Sequence, residues 1–296
     1  MLEFTCRIRT PTLEICYADA GPPNGAPVIL LHGWPDSARA WIPVAARLNA
    51  AGFRTIVPEL RGSGRTRFIS DRTVRDGSGV ALAQDAIDLA NALSINRFDL
   101  VGHDWGARAA YTVAALFPER AKRIAALALA FQPYGRFALP GFSQARKFWY
   151  QWFMSLDGGP DAVGADPKGF ARIQWETWSP PGWFDDNEFA RTAESFDNPD
   201  WLAITLNGYR RRWRQDEESD PAYSSLRQQL ATIGRIGVPT LMLQGGADQC
   251  DEPKESDGLE SHFTRSYRRI LIEGVGHFPL REAPDEVANA LIDHLR

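Results

Sequence analysis

Short apolar runs recur along the chain, each bounded by polar or turn-forming residues. Val28–Leu31, Arg54–Pro58, Phe98–Val101, Ile124–Ala130, Thr240–Leu243 and Arg269–Ile272 read as buried strands. Two earlier segments, around residues 3–9 and 12–18, alternate apolar with polar and read as half-exposed strands. Helix-length segments such as Ala38–Ala50 and Ala81–Leu93 lie between the early strands. Strands alternating with helices predict an α/β fold, in which a mostly parallel eight-stranded sheet is covered by helices on both faces.

The alternation stops near Tyr134. From there to Gly234 the chain carries amphipathic, aromatic-rich segments with breaks such as "WSPPGW" and "DNPD", and "VPTLMLQG" then resumes the strand pattern. This pattern predicts a core of residues 1–133 and 235–296, with a helical cap (lid) of residues 134–234 inserted between two core strands. Seven of the ten tryptophans fall in the inserted region. Most of them are expected to pack cap helices against the core, while Trp149 and Trp152 are candidates for lining a substrate pocket.

Composition narrows the function classes. With 44 % hydrophobic and 24 % charged residues in 296, the chain has ordinary globular content. A formal net charge of −4, with no basic stripe, argues against a nucleic-acid partner. Cys6, Cys16 and Cys250 form neither a disulfide framework nor a zinc-site spacing. No metal or cofactor is therefore expected, and a reducing cytoplasm is the simplest compartment. No apolar run approaches the ~20 residues of a membrane span, and the N-terminus does not read as a signal peptide. Oligomeric state is left open, a homo-oligomer being one possibility.

The chemistry concentrates at strand ends. "DLVGHDWGARAAY" runs from a strand through Gly102 and Gly106 into a helix, the plan of a nucleophile elbow, with Asp104 where the familiar G-x-S-x-G form has serine. "LLHGWPDSARAW" follows an earlier strand at the place where this architecture supplies an oxyanion-hole N–H. "LMLQGGADQCDEP" puts Asp248 after a later strand, ahead of the competing acids Asp251 and Asp257, and "GVGHFP" puts His277 after the next. His32 and His103 read as shaping the two motif loops, and His262 and His294 as surface or helix residues. Arg108 reads as an anchor for the elbow helix, and "YRRRWRQDEE" as a solvated helix face.

These motifs together resemble the α/β-hydrolase superfamily, and within it the epoxide hydrolases similar to the soluble mammalian enzyme. "HGWPDSARAW", "RGSGRT", "GHDWG", "GGAD" and "GVGHFP" carry the resemblance over nearly the whole chain. "FWYQWF" and "LNGYRRRW" place Tyr150 and Tyr209 in the contexts of the family's paired cap tyrosines. The resemblance implies an α/β-hydrolase fold and hydrolysis of a small apolar epoxide to a diol. Asp104 would be the nucleophile, His277 the base and Asp248 its orienting acid. Trp34 and Trp105 would supply oxyanion N–H groups, and Tyr150 and Tyr209 would hold the epoxide oxygen.

Chemistry favours a carboxylate at the elbow. Serine attacking an sp³ carbon would form an ether that the site could not hydrolyse, whereas aspartate forms an ester open to water. A haloalkane or haloacetate dehalogenase is the nearest rival, since it uses the same Asp–His–acid machinery and an indole N–H such as that of Trp105 can hold halide. A departing halide needs no tyrosine pair, however, and haloacetate dehalogenases typically have arginine where this chain has Trp105. A non-catalytic ligand receptor on the same fold would have no use for an aligned nucleophile, acid and base.

Overall fold

The computed structural model describes residues 2–214 and 216–296. Its sheet has nine strands: β1 (Cys6–Arg9), β2 (Leu13–Ala20), β3 (Ala26–Leu31), β4 (Phe53–Pro58), β5 (Arg67–Phe68), β6 (Phe98–His103), β7 (Ala121–Leu127), β8 (Thr240–Gly245) and β9 (Tyr267–Ile272). Eight of them lie in the order β1-β2-β4-β3-β6-β7-β8-β9, and the two-residue β5 pairs with β2. Every neighbour pair from β4–β3 to β8–β9 is parallel, while the β1–β2 and β2–β4 pairs are antiparallel.

The strand pleat explains why the central runs are apolar throughout. Ile29 and Leu31 face one cluster with α2 (Gly79–Ala92) and α3 (Trp105–Leu116), preceded in the chain by α1 (Ile42–Ala50). Val28 and Leu30 face the other cluster, which includes Val44 and Leu48 of α1 and Val287 and Leu291 near the C-terminus. A strand buried on both faces has no polar position to show.

Two element boundaries differ from the periodicity, each for a local reason. The segment Ala38–Ala50 divides into a 3₁₀ turn, Ala38–Trp41, and α1, with Pro43 in the first helical turn where no N–H partner is needed. Strand β7 begins at Ala121 and ends at Leu127, because Ala128 adopts φ 60° and turns the chain out of the sheet.

Between β7 and β8 the chain forms α4 (Phe142–Lys147), α5 (Trp149–Ser155), α6 (Gly159–Ala165), α7 (Pro167–Thr177), α8 (Asp186–Ala193), α9 (Trp201–Arg210) and α10 (Ser224–Leu230). Asp166 and Asp185 cap α7 and α8 by accepting the N–H groups of Gly169 and Glu188 at 2.8 and 2.7 Å. After β9 come α11 (Pro279–Glu282) and α12 (Pro284–Leu295). Among the described residues, no helix is long and apolar enough to cross a membrane.

Candidate active site

Strand β6 delivers Asp104 to the carboxyl edge of the sheet. The residue takes φ 50° and ψ −108°, a conformation costing a non-glycine residue on the order of 1–3 kcal/mol, and α3 starts directly after it. The strain is held by backbone contact on both sides. A Cβ on Gly106 would land on the Leu31 carbonyl, and one on Gly102 would land on the Gly106 carbonyl, so the elbow accepts only glycine at these positions.

The loop after β3 meets the Asp104 carboxylate from the other side. The Trp34 N–H donates to Asp104 Oδ1 at 2.8 Å. The Trp105 N–H, paired with it in the sequence reading, makes no hydrogen bond to the carboxylate. His32, in the same loop, receives the Leu60 N–H on Nε2 and turns Nδ1 to the Gly33 carbonyl, and its burial favours the neutral ring.

The loops after β8 and β9 bring the other two groups together. His277 Nδ1 lies 2.9 Å from Asp248 Oδ2, and its Nε2 lies 3.9 Å from Asp104 Oδ2 with no hydrogen bond in the protein. All three side chains are buried. Asp248 is itself held by the N–H groups of Cys250 and Asp251 at 2.7 and 3.0 Å and by the Gln244 amide at 3.1 Å. Asp257, one of its sequence competitors, is exposed and only loosely paired with Arg269 at 3.8 Å. The His277 N–H donates to Ser179 Oγ at 2.8 Å, and Ser179 in turn donates to Glu282 at 2.6 Å. Ser179 and Glu282 carry no sequence signal, because they serve the site only through the histidine backbone.

Burial disfavours a charged imidazole at His277, but Asp248, the hydrogen bond to it, and the charges of Asp104 and Asp251 prevail and raise its pKa to about 9. His103, whose Nε2 donates to the His277 carbonyl at 2.7 Å, is pushed down to about 4 by burial and by its charged neighbour. Burial and the nearby Asp248 move Asp251 up to about 7.

The inserted helices cover this edge with aromatic rings. Trp34 stacks on Tyr150 of α5 at 5.8 Å and meets Tyr209 of α9 edge-on at 5.0 Å, and the two tyrosine rings are 5.2 Å apart. The Tyr209 hydroxyl is buried without a hydrogen-bond partner, and the Asp104 charge is among its close influences. The Tyr150 hydroxyl accepts the Gln151 amide at 2.9 Å and lies 3.6 Å from Cys250 Sγ. Gln151 is fixed in turn, its carbonyl oxygen accepting the Trp213 indole at 3.0 Å. The Trp105 indole N–H is buried and unpartnered.

Trp149 and Trp152 are not pocket residues. Trp149 packs against Phe153 and Phe170 and is 37 % exposed, while Trp152 meets Trp213 in a tilted contact at 4.5 Å and donates to the Ala145 carbonyl at 2.8 Å. Helical spacing next to Tyr150 turns both away from the edge of the sheet. A small cavity of about 20 Å³ lies beside Trp34, Trp105 and Trp201.

A larger cavity, of about 270 Å³, lies between the first turns of α2 and α3, the 129–137 loop and the ends of α9 and α10. It corrects two sequence readings. Arg108 does not anchor the elbow helix but lines this cavity, and Arg211 and Arg212 are partly buried in its wall rather than on a solvated face. Arg108 is the one charged residue in the otherwise uncharged, wholly buried α3, a signal that composition alone could have flagged.

Cys250, Asp251 and His277 bring ligand-type atoms within 4.8 Å of one another. They make a poor cation site: burial and the adjacent Asp251 hold the Cys250 thiol well above its ordinary pKa, and His277 is engaged by Asp248.

A model of the α/β-hydrolase fold family matches residues 26–284. The chain belongs to that family. This α/β hydrolase is 26 % identical to epoxide hydrolase A of Mycobacterium tuberculosis over 97 % of its own length and 96 % of the relative's. A crystal structure of a protein from Klebsiella pneumoniae, proposed to be an epoxide hydrolase, superposes with a TM-score of 0.90 at 39 % identity, covering 98 % and 96 % of the two chains. The α/β hydrolase is also 27 % identical to a fluoroacetate dehalogenase of a Burkholderia species over 92 % and 88 % of the two lengths.

Proposed function

We propose that this protein is an epoxide hydrolase that opens an epoxide to a vicinal diol through a covalent ester on Asp104, with residues 134–234 as its cap. The observation that carries the reading is the unpartnered, buried Tyr209 hydroxyl, near enough to Asp104 to feel its charge, with the Tyr150 ring 5.2 Å from its own. A polar group buried without a partner costs about 1–3 kcal/mol, so its retention points to a role in binding or catalysis. Burial raises both phenols well above their ordinary range, so both stay protonated as donors. The amide of Gln151 donates to Tyr150, so that hydroxyl's own proton faces nothing stronger than the weak acceptor Cys250 Sγ, at 3.6 Å. Relatives named epoxide hydrolases support the same reading.

In the first half-reaction an Asp104 carboxylate oxygen attacks a ring carbon, the C–O bond of the epoxide breaks, and the tyrosines stabilise and protonate the departing oxygen. In the second, His277 takes a proton from water, the hydroxide adds to the ester carbonyl, and the tetrahedral oxyanion accepts the Trp34 N–H, with the Trp105 N–H as second donor. Collapse breaks the ester C–O bond, the departing diol oxygen takes the proton held by His277, and the proton left on the carboxyl group returns to the tyrosinate, which restores the Asp104 carboxylate and both phenols.

The raised His277 pKa fits this order. An ionised Asp104 favours the imidazolium; esterification removes that charge, the ring's proton affinity falls, and the imidazole becomes available as a base at the step that needs one.

The unpartnered indole N–H of Trp105 favours a second reading, halide displacement by the same carboxylate with the indole holding the halide. One experiment tests the primary reading. Single turnover of an epoxide with excess enzyme in ¹⁸O-water should place the label in Asp104 and leave the first diol unlabelled. Label in that diol would eliminate the ester, and turnover of bromoalkanes without turnover of epoxides would select the second reading.

A further inference from the structure

Each catalytic cycle ends with a proton on the wrong residue. Ring opening takes a proton from a cap phenol, and ester hydrolysis leaves one on the Asp104 carboxyl group. The two phenols differ in how they could recover it. The Tyr209 hydroxyl has no hydrogen-bond partner among the described residues. Tyr150 is joined to a chain of protic groups: its hydroxyl accepts the Gln151 amide at 2.9 Å and lies 3.6 Å from Cys250 Sγ, and the thiol donates to Asp251 Oδ2, also at 3.6 Å. A thiol has one proton to give, and here it is directed to Asp251, so the phenol is the donor in the Tyr150–Cys250 contact. At the other end, a carboxylate oxygen of Asp251, Cys250 Sγ and a ring nitrogen of His277 lie within 4.8 Å of one another, a gap that one water can bridge. His277 Nε2 is in turn 3.9 Å from Asp104 Oδ2.

The proton affinities along this chain rise towards the phenol. Burial and the nearby Asp248 move Asp251 up to about 7, so it takes a proton near neutrality without holding it tightly. Burial keeps the Cys250 thiol and the Tyr150 phenol well above their ordinary values, so both bind a proton more firmly than Asp251 does. The thiol is accordingly neutral, neither a nucleophile nor a metal ligand, and the two half-reactions give neither it nor Asp251 any other work.

We propose that Asp251 and Cys250 form a proton relay that carries the proton from the Asp104 carboxyl group, by way of His277, back to Tyr150, and that Tyr150 rather than Tyr209 is the phenol that protonates the epoxide oxygen. This inference rests on the epoxide reading. Once the diol oxygen has taken the proton of the imidazolium, the neutral ring accepts the carboxyl proton of Asp104 and passes it to the Asp251 carboxylate. The Asp251 O–H proton then moves to sulfur as the S–H proton moves to the Tyr150 oxyanion. Each transfer breaks one bond to hydrogen and forms another, and no oxidation state changes. The chain ends with the phenol O–H facing sulfur and the S–H facing Asp251, the arrangement that the structure shows.

The test compares single and multiple turnover of styrene oxide by the wild type, Asp251→Asn, Cys250→Ala and Cys250→Ser. Diol is followed by chromatography, ester by intact mass and tyrosinate by its ultraviolet absorbance. In Asp251→Asn and Cys250→Ala the first turnover should form and hydrolyse the ester, releasing one equivalent of diol in a burst. Tyrosinate should then persist and later turnovers should slow by about tenfold or more, because an Asp104 that keeps its proton cannot attack. Cys250→Ser, which retains a relay proton, should slow less than Cys250→Ala. In the Asp251→Asn background, Tyr150→Phe should abolish the persistent tyrosinate signal and Tyr209→Phe should leave it. Disturbed packing, or a changed charge beside His277, would slow the ester steps themselves and give no burst. If Cys250→Ala does not fold, the near-isosteric Asp251→Asn carries the measurement. The relay is overturned if both variants sustain wild-type turnover, if ester accumulates in place of tyrosinate, or if the persistent signal belongs to Tyr209. Epoxide turnover by the wild type with unimpaired variants would leave the epoxide reading standing and remove the relay alone, whereas a wild type that opens no epoxide would remove both.

Discussion

The core and the cap position their functional groups by different physical means. In the core, Asp104 is fixed by backbone: a strained dihedral, glycines pressed against neighbouring carbonyls, and the Trp34 N–H. Asp248 and His277 stand on adjacent parallel strand ends and are locked by buried hydrogen bonds. In the cap, Tyr150 and Tyr209 are held largely by ring packing, and pairwise aromatic contacts are worth only about 0.5–1.5 kcal/mol each beyond their burial. The core should therefore decide whether chemistry happens, and the cap which substrate it happens to. The rings of Trp34, Tyr150 and Tyr209 pack within 5.0–5.8 Å of one another, so a substrate that reaches Asp104 between them must part them. Arg281 limits that motion, pairing core Asp36 at 2.6 Å and cap Glu188 at 2.7 Å.

The largest effect should come from a core residue used in one half-reaction only. His277→Gln should reduce multiple turnover by about 10²–10⁴ while ester formation continues, because Asp104 needs no base to attack. Intact-mass spectra should show one substrate mass added to the peptide containing Asp104. In the wild type, ester hydrolysis should slow as pH falls through the pKa of the ring in the ester, since a protonated imidazole cannot accept a proton. That midpoint should lie below the resting value of about 9, the Asp104 charge being absent. Stopped-flow rates that gave ester formation the same acid limb, or a His277→Gln enzyme that neither alkylates nor turns over, would contradict the division of labour.

Next in size are the cap donors. Removing one oxyanion donor can cost about 10²–10³ in rate, so the Tyr150→Phe, Tyr209→Phe double variant should lose nearly all ester formation from epoxides. The single variants should lose less, as the remaining hydroxyl compensates. Displacement of bromide from a bromoalkane, if the enzyme supports it, should be spared, because a departing halide needs no proton. Unchanged epoxide alkylation in the double variant would remove the cap from the chemistry altogether.

What the sequence showed follows the same division. The strand-to-helix turn at Asp104, the loop after β3 that meets it and the placing of Asp248 and His277 beyond strand ends were legible because backbone constraints leave a local signature: glycines at fixed offsets and apolar runs with polar ends. That Tyr150 and Tyr209 meet over Trp34 was legible only through a resemblance of context. Arg108 and Arg212 were misread, because whether an arginine faces solvent or a cavity depends on what packs over it, and here that is the 129–137 loop and α10, remote in sequence from one or both of them. Trp149 and Trp152 were misassigned for a related reason: the tryptophan content of a helix says that it packs, not which face does.

The smallest effect should come from those two tryptophans, and it separates packing from chemistry inside the cap. Trp149 is 37 % exposed and Trp152 is committed to Trp213 and the Ala145 carbonyl. Trp149→Ala should leave kcat/KM within about twofold, the scale of a surface substitution worth ±0.5 kcal/mol. Trp152→Ala should destabilise the protein, by up to the 3–5 kcal/mol typical of deleting a buried tryptophan, though its partial exposure favours the low end. At temperatures well below unfolding its kcat/KM should still stay near the wild type, because its partners, Trp213 and the Ala145 carbonyl, are not groups of the Asp104 site. Thermal melts and steady-state kinetics on the same preparations would read both quantities together. A loss of kcat/KM of tenfold or more at unchanged melting temperature in either variant would mean that the ring touches substrate after all, and that the box around Asp104 extends further into α5 than its packing indicates.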